Sequence, residues 1–177
     1  LFSFSTAQCA IVRPSLASFL PEEPNYIMIS ENSRRGSVDD YYKLNINTGA
    51  KKKIANGPDV DDAEWISNVI VRTDGIPLAA VSNRIDEWRI WRYFPEQKKW
   101  EVHFTNKCQK PTFFPLSGND DTWLVAGQDV SKYDSFNDEN DKSKLFSYDP
   151  NNRTFELLYE DAEYDVAGPV GGCRQAQ

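Results

Sequence analysis

The sequence predicts an all-β chain, organised as a partial β-propeller of about three four-stranded antiparallel blades plus the start of another. Three observations predict it. Apolar residues recur with period two or in short runs, not at helical spacing. Turn residues interrupt those runs at short intervals. One strand–turn–strand layout occurs three times, with turns beginning at positions 47, 95 and 150. The steps of 48 and 55 compare with ~40–50 residues for a four-stranded propeller blade.

The elements follow in chain order. Residues 1–12 form an incomplete N-terminal strand region, apolar in character and without a preceding basic segment, so they do not read as an intact signal peptide. The first blade spans 13–56. Ser15–Leu20, the turn at Pro21-Glu22-Glu23-Pro24 and the apolar run Tyr26–Ile29 make its first hairpin. Tyr42, Leu44 and Ile46 then alternate with Lys43, Asn45 and Asn47, which puts the two sets on opposite faces of a strand. Asn47-Thr48-Gly49 turns the chain into Lys51–Ile54. Gly, Asn and Asp tolerate positive φ and Pro presets φ, so each of these clusters can close a hairpin.

The second blade spans 60–106. Trp65 leads into Val69–Val71, Thr73-Asp74-Gly75 turns, and Ile76–Val81 returns. Trp88–Tyr93, the turn at Pro95-Glu96-Gln97 and Lys99–Val102 complete it. Trp100, Val102 and Phe104 are expected inside, with Glu101, His103 and Thr105 on the polar side. The third blade spans 110–160. Thr112–Phe114, a turn near Gly118 and Thr122–Ala126 precede a polar insertion at 128–143. Lys144–Tyr148, the turn at Asp149-Pro150-Asn151-Asn152 and Thr154–Leu158 follow, with Phe155, Leu157 and Tyr159 on one face. Residues 161–177 are the start of the next blade or a tail. Propellers close with typically 4–8 blades. Three blades leave apolar faces open, so the expectation is a longer propeller or self-association through the open blade edges.

Charge narrows the partners. The chain has 177 residues, with 20 basic against 27 acidic and a net charge of −7. Phosphate neutralisation needs clustered Lys and Arg, and the one basic run, Lys51-Lys52-Lys53, gives way to Asp59, Asp61 and Asp62, so no nucleic acid is expected. Apolar residues make up 40% of the chain and aromatics 13%, enough for a core and too much for a disordered chain. No run approaches the ~18–20 apolar residues of a membrane span. Cys9, Cys108 and Cys173 are too few and too far apart for a disulfide framework. They read as small buried thiols, with one disulfide plus a free thiol as the alternative.

Catalytic signatures are missing. A nucleophile elbow needs Gly-x-Ser-x-Gly, and none occurs; Gly36-Ser37 and Ser117-Gly118 are expected in loops. His103 is the only histidine and is expected at the surface of a strand, so no catalytic triad is predicted. No metal site is predicted either: His103 and Cys108 are five apart across a strand end, and the acidic stretch Asp134–Asp141 lacks the Gly and closing Glu of a calcium loop. No cofactor is expected. Trp65, Trp88, Trp91, Trp100 and Trp123 are expected mainly in blade-to-blade packing. Asp39, Asp40, Asp59, Asp61, Asp62 and Glu64 are expected as a hydrated rim, and Arg34-Arg35-Gly36 as an exposed hairpin tip.

At the repeats the sequence resembles the β-propeller of the prolyl oligopeptidase family of serine peptidases, particularly dipeptidyl/acylaminoacyl-peptidase-like members. The matching segments are Phe19–Ile29, Tyr41–Gly49, Trp65 with Asp74-Gly75 and Leu78–Ala80, Trp91-Arg92-Tyr93 before Trp100–Val102, Leu145–Asp149, and Leu157–Glu160 with Asp165-Val166. Their order covers most of 15–170. The insertion at 128–143 and the ending Cys173–Gln177 depart from that pattern. The resemblance implies a propeller that caps a separate α/β-hydrolase domain of the same parent polypeptide and admits only short peptide substrates, in the cytoplasm or periplasm of a bacterium or outside it. The nucleophile, acid and histidine would all sit on that other domain. The alternative reading is a stand-alone propeller-like module that binds a protein or ligand, with a sugar-binding use of the tryptophans as a third.

Overall fold

The computed structural model describes residues 13–35, 38–61, 63–107, 112–127 and 142–166. Cys9, Cys108, Cys173, the acidic stretch Asp134–Asp141, nearly all of the 128–143 insertion and the 167–177 end lie outside the described residues. Within them there is no helix. Twelve strands form three four-stranded antiparallel sheets.

The first sheet is β1 (Pro14–Phe19), β2 (Tyr26–Arg35), β3 (Val38–Asn45) and β4 (Lys51–Ala55). The second is β5 (Trp65–Val71), β6 (Pro77–Asn83), β7 (Trp88–Phe94) and β8 (Lys99–Asn106). The third is β9 (Phe113–Gly118), β10 (Trp123–Gly127), β11 (Lys144–Asp149) and β12 (Thr154–Tyr159). Each sheet is a meander in strand order, and the first strands β1, β5 and β9 approach one another in succession. These are three propeller blades with their first strands innermost.

The repeat extends to backbone detail. The last turn of each blade carries one residue at positive φ: Gly49 (φ 73), Lys98 (φ 51) and Arg153 (φ 57). In the first and third blades the same side-chain turn closes the loop. Asn45 Oδ1 accepts from the N–H groups of Asn47 and Thr48 at 3.0 Å, and Asp149 Oδ1 accepts from Asn151 at 2.7 Å and Asn152 at 3.0 Å. These bonds favour the ionised form of Asp149 and hold its carboxyl below the usual range.

Five residues past each of those turns comes a β-bulge. The pairing of β3 with β4 skips Ile54, that of β7 with β8 skips His103, and that of β11 with β12 skips Leu158. An extra residue in one strand reverses the in–out alternation beyond it. The period-two reading of these strands is corrected accordingly. Val102, expected inside, is 44% exposed, and His103, expected outside, is buried at 9%. On β3, whose own alternation the bulge on β4 leaves unchanged, Tyr41 is the fully buried tyrosine and Tyr42 is half-buried. Leu157 and Tyr159 on β12, expected to share one buried face, are 44% and 53% exposed.

The core lies between the blades. The first seam joins Met28, Val38 and Tyr41 of the first blade to Ala80, Trp91 and Tyr93 of the second. Trp100 sits 5.0 Å from the Tyr93 ring and donates its Nε1–H to the Asn56 carbonyl at 2.7 Å, tying the second blade to the chain leaving the first. The second seam sets Ile70, Val81 and Ile90 against Phe113, Trp123, Val125 and Tyr148. Small residues on the second strand of the middle blade, Ala79 and Ala80, are fully buried and let large side chains pack in the two seams. Of the five tryptophans, Trp91, Trp100 and Trp123 fill seams, Trp88 is half-buried, and Trp65 is 48% exposed.

Candidate functional site

Three polar arrangements stand out among the described residues. The first is in the second seam. The bulge on β8 turns His103 inward against Trp123, with ring centroids 5.2 Å apart, and against Tyr148 at 5.7 Å. His103 Nε2 lies 2.6 Å from the Tyr148 hydroxyl. Burial pushes the imidazole down to about 4, helped by the positive charges of Arg153 and Arg92. Burial also pushes the Tyr148 phenol up to about 12. Both groups are neutral at pH 7. The pair is a polar pin inside an aromatic cluster, and it occupies the chain's only histidine.

A pH dependence follows. The folded value lies below the ordinary 6.5, so folding favours the neutral ring. The associated stability is complete above pH 6.5 and is lost as the pH falls from there towards 4. A shift of this size corresponds to about 3 kcal/mol. Denaturant titrations at pH 7 and pH 4.5 are expected to show that loss, and His103→Gln is expected to remove much of the difference. An unchanged pH dependence in the variant would show that other groups carry it.

The second arrangement is a buried carboxylate. Glu64 enters β5 and is 2% exposed. Its Oε1 accepts from the Ser82 hydroxyl on β6, and its Oε2 accepts from Arg89 on β7 at 2.9 Å. Ser82 Oγ also accepts from Trp91 Nε1 at 2.7 Å, and Arg89 bonds Glu87 at 2.6 Å. Asp40 is also buried: it takes Lys53 Nζ at 2.6 Å and the Gly57 N–H at 3.2 Å. The expectation of a hydrated rim is therefore corrected for Glu64 and Asp40. Asp39 is half-buried and accepts from Ser30 Oγ at 2.8 Å, Asp61 is exposed and pairs with Arg84 at 3.3 Å, Asp59 is exposed, and Asp62 lies outside the described residues. These carboxylates are brought to structural partners, not to one shared site.

The third is an open cleft of about 480 Å³ on the first blade, lined by Glu23, Tyr26, Lys43, Asn45, Thr48 and Ala50–Lys52. Lys43 bonds Glu23 and lies 5.0 Å from the Tyr26 ring centroid. Lys51 bonds Glu31 and lies 4.6 Å from the Tyr42 ring centroid. Glu23 and Glu31 offset Lys43 and Lys51, so the three lysines of the lining leave an excess of one positive charge, contributed by Lys52. The sequence pointed only to the run Lys51–Lys53; the contributions of Glu23, Tyr26 and Lys43 come from strands and turns folded against it.

Two arginines also bridge the second and third blades. Arg72 donates to Asp120 at 2.6 Å and to Asp74 at 2.7 Å. Arg92 donates to the Asp120 carbonyl at 2.6 Å and to Asn151 at 2.9 Å. Ser117-Gly118 ends β9 instead of lying in a loop, and Gly36-Ser37 is outside the described residues. No group of three or more His, Cys, Asp or Glu is placed to hold a metal among the described residues.

No protein-family model and no curated protein matches the chain. Solved structures do. TolB from Acinetobacter baumannii superposes with a TM-score of 0.50 at 10% identity, over 86% of this chain and 33% of that one. A TolB-type protein from Agrobacterium tumefaciens gives 0.44 at 15% identity, over 83% of this chain and 49% of that one. Oligogalacturonate lyase from Vibrio parahaemolyticus gives 0.37 at 12% identity, over 82% and 39%. The chain thus spans between a third and a half of the length of the structures it resembles, and the likeness to the first is one of fold: an all-β, partial β-propeller.

Proposed function

We propose that this chain is a non-catalytic propeller segment of a prolyl-oligopeptidase-like serine peptidase, where it caps an α/β-hydrolase domain and restricts entry to short peptides. The fold and the ordered motifs from Phe19 to Val166 support this reading. One observation carries the non-catalytic part. Hydrolysis by a serine triad needs a histidine free to take the serine proton. The only histidine here is buried in a blade seam, held by Tyr148 and pushed down to about 4.

The test is direct. The purified chain is expected to show no turnover of chromogenic dipeptide or acyl-amino-acid substrates. Turnover that persists in the pure chain and disappears in His103→Gln would overturn the proposal. Reading the frame beyond Gln177 separates the two remaining functions: a Gly-x-Ser-x-Gly within a few hundred residues supports a peptidase cap, and a stop codon without such a domain supports a stand-alone binding module.

A further inference from the structure

Asn56-Gly57 is the one Asn-Gly pair in the chain. It lies just past β4, where the chain leaves the first blade. Asn before Gly is the sequence most open to loss of the side-chain amide, because Gly has no Cβ to shield its nitrogen. The Gly57 nitrogen gives up its proton and attacks Asn56 Cγ. A C–N bond forms, the side-chain nitrogen leaves as ammonia with a proton taken up, and a five-membered imide remains. Water then opens the ring to aspartate or isoaspartate.

The fold leaves the side chain accessible and holds the backbone. Asn56 is exposed and Gly57 is buried. The peptide group between them is pinned at both ends. Its N–H, on Gly57, donates to Asp40 Oδ1 at 3.2 Å, and Asp40 has no exposure. Its carbonyl, on Asn56, accepts from Trp100 Nε1 at 2.7 Å. One pin comes from the first blade and the other from the second. Attack on Cγ needs this peptide group to turn, and Gly57 lies flush on β3: a Cβ there would stand 2.0 Å from the Asp39 carbonyl oxygen. The Asp40 carboxylate also opposes loss of the Gly57 proton, since the resulting anion would face a second negative charge.

We propose that Asn56 is a deamidation site whose rate is set by the first seam. While the seam is closed, Asp40 and Trp100 hold the peptide group out of line. When Trp100 moves off with the second blade, the group is free to turn and the reaction proceeds. Either product carries a new carboxylate close to Asp40, and isoaspartate also lengthens the main chain by one methylene, so the carbonyl leaves Trp100. The closed seam protects the site, and the modified site loosens the seam. The result is an irreversible switch that records how long the two blades have been apart. It does not depend on the peptidase reading.

The parent chain, Asp40→Ala and Trp100→Phe are incubated at mildly alkaline pH, and tandem mass spectrometry follows aspartate and isoaspartate at position 56. Trp100→Phe is expected to raise the folded-state rate about fivefold, the gain in open population from losing one ordinary hydrogen bond, and Asp40→Ala about tenfold, because its bond is charged. Circular dichroism checks that each variant keeps its strands. In urea strong enough to unfold them, all three chains are expected to share one rate, faster than that of the folded parent. A folded parent that reacts as fast as the unfolded chain overturns the proposal. So do folded variants that keep the parent's rate, and so does an unfolded chain in which Asn56 reacts no faster than the other asparagines. The modified chain, separated by its added charge, is expected to unfold at a lower urea concentration than the parent, and an equal midpoint overturns the switch.

Discussion

Arg89→Met is expected to lower the stability of the chain by about 3–5 kcal/mol, the usual cost of stripping one partner from a buried ion pair. The Glu64 side chain is 1% exposed, so water cannot replace the lost guanidinium, and only the Ser82 hydroxyl would remain on the carboxylate. Arg89 itself is 26% exposed and shares its charge with Glu87, which places the effect at the lower end of that range. The pair spans three strands of one blade, since Glu64 leads β5, Ser82 lies on β6 and Arg89 on β7. Losing it should therefore loosen the whole end of the second blade rather than one side chain. Removing both charges in Arg89→Met/Glu64→Met should recover most of the loss, because no uncompensated charge is left behind. Urea unfolding followed by circular dichroism gives both values. An Arg89→Met variant within about 0.5 kcal/mol of the parent, the range of ordinary surface changes, would mean that Glu64 is not held as described.

The β class was legible because its two signals are local. Period-two apolar residues and Asn, Asp, Gly or Pro clusters are visible within ten residues, and they located the hairpins around Asn47-Thr48-Gly49 and Asp149-Pro150-Asn151-Asn152. The bulges were not legible. The same backbone irregularity is occupied by Ile54, His103 and Leu158, two aliphatic side chains and an imidazole, because what defines it is a skipped pairing with a strand before the turn. That single irregularity sends His103 inward and Val102 outward, and so it also decided the fate of the only histidine. Glu64 was misjudged for a related reason. It sits among Asp59, Asp61 and Asp62, which favours a solvated reading, while its partners Ser82 and Arg89 are 18 and 25 residues away. A serine and an arginine on neighbouring strands carry no mark of a shared carboxylate. The lysine cleft was half legible: the run was plain, but the ring and the carboxylate beside it arrive from β2 and the turn before it.

Trp123→Ala should cost more than any other single truncation in the chain, about 3–5 kcal/mol for a fully buried large aromatic. Trp123 is the largest side chain with no exposure, and it stands where the second and third blades meet. It touches His103 and Tyr148, whose rings lie 5.2 Å and 5.8 Å away, so its loss opens a cavity directly beneath the polar pin. Its neighbours cannot collapse into that space, because Ala126 and Val125 are already packed at zero exposure and β10 is paired on both sides. Contacts between blades are fewer than contacts within them, so the seam is where a local opening would start. Hydrogen exchange should therefore accelerate on β9–β12 more than on β1–β4 in the variant. Trp65→Ala is the matched control: the same truncation at a residue 48% exposed should fall well short of that cost. Equal losses for the two variants, or exchange that rises uniformly across all three sheets, would show that the blades do not separate at this seam and that the fold responds as one undivided unit.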